Sequence, residues 1–333
     1  MKVADFDFPF DPKHIAQHPT QPRDAARLLD LSGDRPTHLT IGELPGLIQP
    51  EDLVIVNNTK VLPARLFGHR DAVAVEATLV RQEGEGTWAA LARPGKRLKL
   101  GQTLHFDQGL SATIEAKGGA EVTLKFNQSG ADLLAAIRTQ GAMPLPPYIK
   151  RDRGGDAADL DLYQTPFAKH EGAVAAPTAS LHFTDQVRAA LPCPMAEVTL
   201  HVGLGTFAGI SVEDTDDHVM HVEWGALPPE TEVAIQACKA RGGRVIAIGT
   251  TALRTLEAFQ GQAQDGDINL FITPGYAFQV VDVLLTNFHL PASTLFMLVC
   301  AFAGTDKMKD AYALAQAENY RFFSYGDACW LQR

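Results

Sequence analysis

Short apolar runs alternate with amphipathic stretches at both ends of the chain. Runs of about four to eight consecutive apolar residues are typical of strands that are buried on both faces of a sheet. They predict strands over residues 52–57, 244–249, 270–273 and 278–285.

Helical spacing occupies the stretches between and after those runs. Residues 251–259 place Leu253, Leu256 and Phe259 on one face of a helix. Residues 293–304 are apolar nearly all round and end in glycine, so they predict a buried helix with a glycine C-cap. Two more helices are predicted over residues 231–240 and 310–320.

The middle of the chain has a different pattern. Short strand-like segments are joined by turns that contain glycine, at residues 73–80, 87–94, 101–106, 110–116 and 121–126. Short, evenly spaced strands with such turns predict a small barrel or a compact sheet. A short helix over 131–138 follows, and then a proline-rich segment over 143–155 that is typical of a linker.

These patterns divide the chain into two parts. We predict an α/β mixed main domain built from both termini, residues 1–62 and 153–333, with an inserted small all-β, barrel-like domain over 63–152. The length of 333 residues is enough for such an arrangement.

Cysteine usage and the first residues indicate the compartment. The four cysteines form no CxxC pair, and scattered thiols are typical of a reducing environment. The opening MKVADFDF carries acids where a signal peptide needs an apolar run. The apolar stretch 295–303 is about half the length that a membrane span requires. We therefore expect a cytoplasmic protein with no membrane partner.

Charge is distributed unevenly along the chain. The net charge of −10 argues by itself against a nucleic-acid partner. Between Lys60 and Gly155, however, 14 Lys and Arg stand against 9 Asp and Glu, whereas the rest of the chain has 15 against 30. This asymmetry favours a basic binding surface, and a solvated basic face without a partner is the alternative. The candidate residues are Arg93, Lys96, Arg97 and Lys99, with Lys150, Arg151 and Arg153 as a second group.

Several stretches contain more Gly, His and Thr than packing requires, at residues 172–183, 199–207, 248–257, 284–295 and 320–328. In the stretch 248–257, a buried strand ends at Gly249, and Thr250 or Thr251 can cap the following helix. Free N–H groups there suit a carboxylate or phosphate, and Arg254 can add a charge-assisted contact. The alternative is an ordinary capped helix.

The stretch 199–207 contains a GxG pattern. Gly203 and Gly205 would let the backbone approach a flat ligand, and Phe207 could stack on it. A tight turn explains the two glycines equally well.

A possible metal site lies in DHVMHVEW, where His218, His221 and Glu223 are close together. Imidazole and carboxylate are common metal ligands, so a metal-dependent hydrolase is an alternative function. The spacing lacks the HExxH helix pattern, and we expect no metal.

Three other histidines, His182, His201 and His289, each lie in an apolar context. A hydrogen-bonded core histidine explains any one of them. Their recurrence beside Thr, Asn and Gly indicates a shared pocket.

Taken together, these stretches resemble one known family. AAPTASLHF, LHVGLGTF, GTTALRTLE, TNFHLPASTL and YRFFSYGDA are similar to segments of the S-adenosylmethionine:tRNA ribosyltransferase-isomerases of queuosine biosynthesis, as are residues 15–19, 26–31 and 52–68. The matches run in order along the chain and are weaker in the middle domain. Ala26 and Ser180 depart from the family pattern, in which Ser and Gly are expected, and Ser180 would narrow a pocket.

The resemblance implies an enzyme that consumes S-adenosylmethionine (AdoMet) as a substrate, with no metal or redox cofactor. The ribosyl part of AdoMet is transferred to 7-aminomethyl-7-deazaguanine at the tRNA wobble position and isomerised, giving epoxyqueuosine, adenine and methionine. The implied partners are AdoMet and a tRNA that contains the modified base, and we expect a monomer. The implied fold is an α/β domain from both termini with a small β-barrel insert. A tRNA-binding module without catalysis is a further alternative.

The implied chemistry suggests catalytic candidates. The sulfonium acidifies the C5′ carbon of AdoMet, and the attacking amine must be neutral. Loss of adenine develops negative charge on its ring nitrogens, which a donor must meet. His182, His201 and His289 are the candidates, because imidazole can donate near neutral pH.

Binding roles are assigned in the same way. We expect Thr250, Thr251 and Arg254 to hold the methionine carboxylate. Glu223 or Asp327 would hold the amino group or the ribose hydroxyls. The full set of predicted substrate-binding residues is Thr178, Gly203, Gly205, Thr206, Phe207, Glu223, Thr250, Thr251, Arg254, Asn287 and Asp327. The tRNA phosphates are assigned to Arg93, Lys96, Arg97 and Lys99.

Overall fold

The structure is a computed structural model that describes residues 1–119, 121–152, 156–203 and 209–333. The chain forms two compact units. The larger comprises Met1–Thr59, Thr165–His170 and Pro177–Arg333, and the smaller comprises Lys60–Gln164 and Glu171–Ala176. The predicted insert, residues 63–152, lies within the range of the smaller unit.

Strands and helices are numbered in chain order over the described residues. The strands are β1 (Arg27–Asp30), β2 (Thr37–Thr40), β3 (Leu53–Asn57), β4 (Thr59–Val61), β5 (Arg65–Arg70), β6 (Val73–Gly84), β7 (Thr87–Arg93), β8 (Thr103–Phe106), β9 (Ser111–Gly118), β10 (Glu121–Phe126), β11 (His170–Ala173), β12 (Met195–Leu200), β13 (Glu223–Leu227), β14 (Val245–Ile248), β15 (Gln264–Ile268), β16 (Val283–Asn287) and β17 (Ala328–Gln332). The helices are α1 (Gly130–Gln140), α2 (Asp159–Leu162), α3 (Asp185–Ala190), α4 (Pro229–Ala240), α5 (Thr250–Ala258), α6 (Thr294–Ala303) and α7 (Thr305–Ala317). Within the described residues, none of these helices has the length and apolar character to cross a bilayer.

A mixed sheet forms the centre of the larger unit. In the described part of the chain its nine strands follow the order β15-β13-β12-β3-β14-β16-β17-β1-β2. β12, β3, β14 and β16 are parallel neighbours, whereas β17 runs antiparallel to β16 and parallel to β1. Every residue of β3, β14 and β16 is buried, as expected of strands covered on both faces. The four parallel strands therefore end at one edge of the sheet.

The two faces of this sheet have different cover. Val54 and Val56 of β3 belong to a core cluster that includes Phe183, ahead of α3. Successive side chains of a strand point to opposite faces, so Asn57 points away from that cluster. Asn57 contacts Thr251 at the start of α5. α5 therefore covers the face opposite to Phe183.

Most of the predicted elements of the larger unit are confirmed. The runs at 52–57 and 244–249 are β3 and β14, and the predicted helices are α4, α5, α6 and α7. α6 ends at Ala303, and the next residue, Gly304 with φ 95°, is the predicted glycine C-cap. Two strand predictions are wrong, because residues 270–273 form no strand and the run 278–285 is a strand only from Val283. The apolar character of these runs reflects the burial of side chains such as Ile272 and Val281, not sheet pairing.

The smaller unit contains a closed antiparallel barrel of six strands in the order β10-β7-β6-β5-β8-β9, in the described residues. All five predicted segments take part, and the predicted fold class is confirmed. The sixth strand, β5, is missing from the prediction because Gly68 interrupts its pattern. A Cβ at Gly68 would lie 2.3 Å from the carbonyl oxygen of His105, so glycine allows β5 and β8 to approach closely.

The proline-rich segment after the barrel is packed into the smaller unit. Met143 and Ile149 are each 5% exposed. Further along, the buried side chains of Arg151 and Asp159 form an ion pair at 2.9 Å. The expectation of a linker is therefore wrong over the described residues 143–152. Proline fixes φ but does not prevent its apolar neighbours from being buried.

Candidate active site

Polar side chains gather where the parallel strands of the larger unit end. β3 ends at Asn57 and β16 at Asn287, while β14 is followed by Gly249 and β12 by His201. Asp327 precedes β17, whose first residue is paired with Asn287. In open α/β sheets, ligands bind in the crevice beyond the carboxyl ends of the strands. The predicted segments thus meet at the edge where such a sheet forms its site.

Asn57 is the centre of a hydrogen-bond network at this edge. Its Nδ2 donates to the carbonyl oxygen of Leu200 at 3.0 Å and to the hydroxyl of Thr251 at 3.1 Å. Its Oδ1 accepts from the backbone N–H groups of Leu200 and Thr59, both at 3.1 Å. The side chain is buried, and these bonds connect β12, β3 and α5. Sequence reasoning missed Asn57, although an asparagine at the end of an apolar strand is a signal that could have found it.

α5 begins without a side-chain cap. Its N-cap residue is Gly249, at φ 90°, and Thr250 and Thr251 are the first two residues of the helix. The expectation that Thr250 or Thr251 caps the helix is therefore wrong, because Gly249 takes the positive φ at this turn. Thr251 accepts from Asn57, which leaves its own hydroxyl hydrogen for another acceptor. The first turn of α5 keeps the preference of a helix N-terminus for anions.

A buried ion pair joins α5 to β13. Nη1 of Arg254 donates to Oε2 of Glu223, and Nε donates to the carbonyl oxygen of Leu270 at 3.2 Å. Oε1 of Glu223 accepts from the N–H of Gly203 at 3.0 Å. Arg254 is 4% exposed and Glu223 is 5% exposed. Nη2 of Arg254 has no hydrogen-bond partner among the described residues. The pair thus offers a spare donor whose positive charge is already balanced.

His182 and Asn287 are joined by a hydrogen bond of 3.1 Å between Nε2 and Nδ2. Because Oδ1 of Asn287 accepts from the hydroxyl of Thr178 at 2.8 Å, Nδ2 is the donor and Nε2 the acceptor. Burial, followed by the charges of Arg321 and Arg23, lowers the pKa of His182 to about 3. The ring is therefore neutral at pH 7, with its proton on Nδ1. It lines a small pocket beside Arg23.

Asp327 is held by two arginines. Its Oδ1 accepts from the N–H of Arg27 at 3.1 Å and from Nη2 of Arg321 at 3.3 Å, and Oδ2 accepts from the N–H of Arg321 at 2.8 Å. The side chain is 2% exposed. Asp327 therefore fixes the turn that precedes β17, and a contact with ligand stays a prediction.

His201 forms a stacked pair with Trp224. The ring centroids are 5.2 Å apart, and Nδ1 of His201 is 2.8 Å from the hydroxyl of Thr59. Burial lowers the pKa of His201, and the charge of His170 adds a further lowering. Trp224 is 40% exposed, so the stacked pair reaches the surface.

The surroundings of His289 differ from those of His182 and His201. Its Nε2 is 2.9 Å from the hydroxyl of Thr286, and its N–H donates to the hydroxyl of Tyr312 at 2.9 Å. Burial lowers its pKa to about 3. Thr286 and Asn287 are consecutive in β16, so their side chains point to opposite faces. His289 thus lies on the other side of the sheet from His182, and the catalytic role of each histidine stays a prediction.

His218 and His221 line a cleft together with Glu223 and Arg254. The ring of His218 packs edge-on against Phe271, with centroids 5.2 Å apart. Burial, followed by the charge of His221, lowers the pKa of His218. In the residues that the structure describes, no group of three His, Cys, Asp or Glu side chains is placed to hold a metal ion. Glu223 is engaged by Arg254, so the alternative of a metal-dependent hydrolase lacks the site on which it was based.

Three predicted substrate-binding residues, Gly205, Thr206 and Phe207, lie outside the described residues. Gly203 is described, and its N–H donates to Glu223. The backbone before this stretch therefore lies beside the buried ion pair.

The predicted tRNA-binding residues form an exposed basic turn on the barrel, defined by Arg93, Lys96, Arg97 and Lys99. Arg93 ends β7, and the other three follow around a short 3-10 turn. Two further cations hold the backbone of this basic turn. Nη1 of Arg70 donates to the carbonyl oxygen of Arg97 at 2.7 Å, and Nζ of Lys117 donates to the carbonyl oxygen of Leu98 at 2.7 Å. The four predicted residues thus extend from a supported backbone.

Fold and site together define the class of protein. A mixed α/β sheet with neutral histidines, amides and an arginine at the carboxyl ends of its parallel strands is the arrangement of an enzyme that binds a small molecule there. The model of the queuosine biosynthesis protein family matches residues 3–331, and the chain belongs to this family. The interpretation of the chain as an enzyme of queuosine biosynthesis is confirmed.

Individual relatives agree over the whole length. An S-adenosylmethionine:tRNA ribosyltransferase-isomerase from Rhodospirillum rubrum is 50% identical over 340 residues, covering 99% of this chain and 98% of the relative. One of the same name from Methylocella silvestris is 51% identical over 352 residues, with 99% and 98% covered. The crystal structure of an S-adenosylmethionine tRNA ribosyltransferase from Thermotoga maritima is similar, with a TM-score of 0.55, 34% identity and coverage of 98% of this chain and 99% of that one.

Proposed function

We propose that the chain transfers the ribosyl part of AdoMet to 7-aminomethyl-7-deazaguanine at the wobble position of a tRNA and isomerises it. The products are epoxyqueuosine in tRNA, free adenine and free methionine. AdoMet is consumed as a substrate, and no metal or redox cofactor takes part. The observation that carries the proposal is that the family match spans residues 3–331 while the matched motifs converge on one edge of the sheet.

The environment of His182 suits the departure of adenine. With a pKa of about 3, its imidazole is neutral at pH 7 and offers the N–H of Nδ1 as a hydrogen-bond donor. A neutral donor stabilises negative charge that develops on adenine without needing a proton from solvent. His201 has a lowered pKa and contributes in the same form. His182 and His201 therefore act as hydrogen-bond donors. Positioning of the two substrates supplies much of the rate.

The tRNA would be bound by the smaller unit. Exposed Arg and Lys side chains of the basic turn contact phosphates, which are the main source of affinity for nucleic acids. The modified base is turned out of the anticodon loop, because a base that is stacked on its neighbours cannot reach an active site. We further propose that the protein acts in the cytoplasm as a monomer.

The test is product analysis with purified enzyme, AdoMet and tRNA that carries the aminomethyl-deazaguanine base. Adenine and methionine are expected in equal amounts, and neither is expected with tRNA that lacks the modified base. Formation of S-adenosylhomocysteine would mean methyl transfer and would overturn the proposal.

A further inference from the structure

Thr59, the first residue of β4, holds one ring nitrogen of His201. The Thr59 hydroxyl lies 2.8 Å from Nδ1 of the imidazole, and Thr59 itself is fully buried. No second hydrogen bond of the ring is present in the described part of the chain. We propose that Thr59 is a positioning residue: it donates its hydroxyl proton to Nδ1, which holds His201 as the Nε2–H tautomer and leaves that N–H for a substrate. The inference rests on the proposed function, in which His201 is a hydrogen-bond donor.

The distances around the Thr59 hydroxyl determine which atom donates. Its other acceptor is the carbonyl oxygen of His170, at 3.5 Å. Because O–H···O bonds are usually roughly 2.5–3.0 Å long, that contact is a poor place for the hydroxyl proton. The proton is therefore directed along the 2.8 Å contact to Nδ1 of His201, which accepts it.

The imidazole of His201 is neutral when it accepts this bond. Burial, followed by the charge of His170, lowers the pKa of His201 from 6.5, so the ring carries a single proton at pH 7. With Nδ1 as the acceptor, that proton is on Nε2. His182 has its proton on Nδ1, so the two rings present different nitrogens and cannot replace each other.

Asn57 fixes the backbone on both sides of the contact between Thr59 and His201. Its Oδ1 accepts from the N–H groups of Thr59 and Leu200, both at 3.1 Å, and its Nδ2 donates to the carbonyl oxygen of Leu200 at 3.0 Å. Leu200 directly precedes His201 in the chain. One buried amide thus sets the separation between the hydroxyl and the imidazole before any ligand arrives.

The stack with Trp224 restricts the ring of His201 but does not orient it. The two ring planes are 22° apart, and the N–H of His201 donates to the carbonyl oxygen of Trp224 at 2.9 Å. A half-turn of the imidazole about its Cβ–Cγ bond keeps this stack and puts a carbon where Nδ1 was. The hydrogen bond from Thr59 is the contact that distinguishes the two orientations.

Nitrogen-15 NMR of the unmodified protein at pH 7 tests the tautomer directly. The His201 resonances, assigned by their loss in His201→Gln, are expected to show a protonated Nε2 and an unprotonated Nδ1. A protonated Nδ1 would overturn the inference, whatever the activity of the enzyme. The measurement needs no substitution at residue 59, so it decides the question even where a variant folds poorly.

Thr59→Val removes the hydroxyl and keeps the branched shape. The His201 spectrum is expected to change to a mixture of the two tautomers. The kcat for adenine release is expected to fall roughly 10- to 100-fold, since a displacement of about 1 Å can cost about 100-fold. The KM for AdoMet is expected to be nearly unchanged, because the donor acts on charge that develops in the transition state.

Thr59→Ser restores the hydroxyl and is expected to recover the spectrum and most of kcat. Thr231→Val is the matched control, because it removes another buried threonine hydroxyl, which donates to the carbonyl oxygen of Glu197 at 2.6 Å. This control is expected to keep the spectrum of His201 and the kcat of the unmodified enzyme.

Two results with the variants would contradict the role of Thr59. One is a Thr59→Val protein with the parental spectrum and kcat, and the other is an equal loss of kcat in Thr59→Val and Thr59→Ser. If the unmodified enzyme releases neither adenine nor methionine, the proposed function fails, while the ring spectrum still decides the tautomer.

Discussion

Nδ2 of Asn287 donates to Nε2 of His182 across 3.1 Å, and this bond determines which nitrogen of the imidazole carries the proton. The hydroxyl of Thr178 fixes the amide orientation by donating to Oδ1 of Asn287. The Nδ1–H tautomer of His182 is therefore set by the last residue of β16.

Asn287→Asp is expected to reverse this tautomer. A carboxylate keeps the acceptor that Thr178 uses but replaces the donor that faces His182. The imidazole then turns a proton toward residue 287, and its pKa rises from about 3. Nitrogen-15 NMR of the histidine rings at pH 7 is expected to show Nδ1–H in the unmodified protein and Nε2–H or imidazolium in the variant. Adenine release is expected to slow at least about tenfold, since general acid–base or donor roles contribute 10²–10⁴-fold. An unchanged ring spectrum would contradict the assigned hydrogen bond.

Burial of neutral histidines makes stability depend on pH. The pKa values of His182 and His289 are lowered to about 3, whereas the unfolded chain binds a proton near pH 6.5. Between these values the unfolded state holds more protons, so stability falls as the pH decreases through 6.5. From pH 7 to pH 5 each buried histidine is expected to lower the free energy of unfolding by about 2 kcal/mol.

His182→Gln separates this effect from that of the carboxylates. Its loss of stability between pH 7 and pH 5, measured by denaturant unfolding, is expected to be about 2 kcal/mol smaller than that of the unmodified protein. His105→Gln changes an exposed histidine of the barrel and is expected to behave like the unmodified protein. If both variants lose as much stability as the parent, His182 is not buried in its neutral form.

The central strands were predictable because burial on both faces leaves an unbroken apolar run, as in β3 and β14. The same signal fails at residues 270–273, where the side chains are buried or half-buried outside any strand. β5 was missed because Gly68, which permits its contact with β8, carries no apolar signal. The local pattern of apolar residues reflects which side chains are buried, whereas strand pairing depends on partners that are distant in the chain.

The candidate site was predictable as a set of segments but not as a set of contacts. Thr251, Arg254 and Glu223 were identified from their motifs, whereas the pairing of Arg254 with Glu223 and of Thr251 with Asn57 was not. Arg254 meets Glu223 across 31 positions and Asn57 meets Thr251 across 194. These pairs exist because β13 lies beside β12, and β12 beside β3, an order that results from packing of the whole sheet.

Replacing the basic turn is expected to change the salt dependence of tRNA binding. Each phosphate contact adds about 0.7–0.9 to the slope of log affinity against log salt, so changing Arg93, Lys96, Arg97 and Lys99 to Gln is expected to flatten it by up to roughly three units. AdoMet binding is expected to be unchanged, because the predicted AdoMet-binding residues belong to the larger unit.

A double variant provides the control for this measurement. Arg35→Gln combined with Lys239→Gln removes two exposed cations of the larger unit and is expected to retain the original slope. A quadruple variant with the parental slope would mean that the phosphates are contacted elsewhere, with the exposed Lys150 as the next candidate, since Arg151 is held in a buried ion pair with Asp159.

The position of β17 limits how the larger unit can form during synthesis. In the sheet of the described residues, β17 lies between β16 and β1, so the hydrogen-bonded connection of β1 and β2 to the central strands runs through residues 328–332. Until residues 328–332 have been synthesised and have left the ribosome, β1 has no β17 to pair with. The two earliest strands, β1 and β2, therefore cannot join the sheet before then. The barrel strands, β5 to β10, all emerge before residue 127 and pair among themselves. During translation the barrel of the smaller unit can therefore fold first, and the sheet that holds the candidate site is completed last.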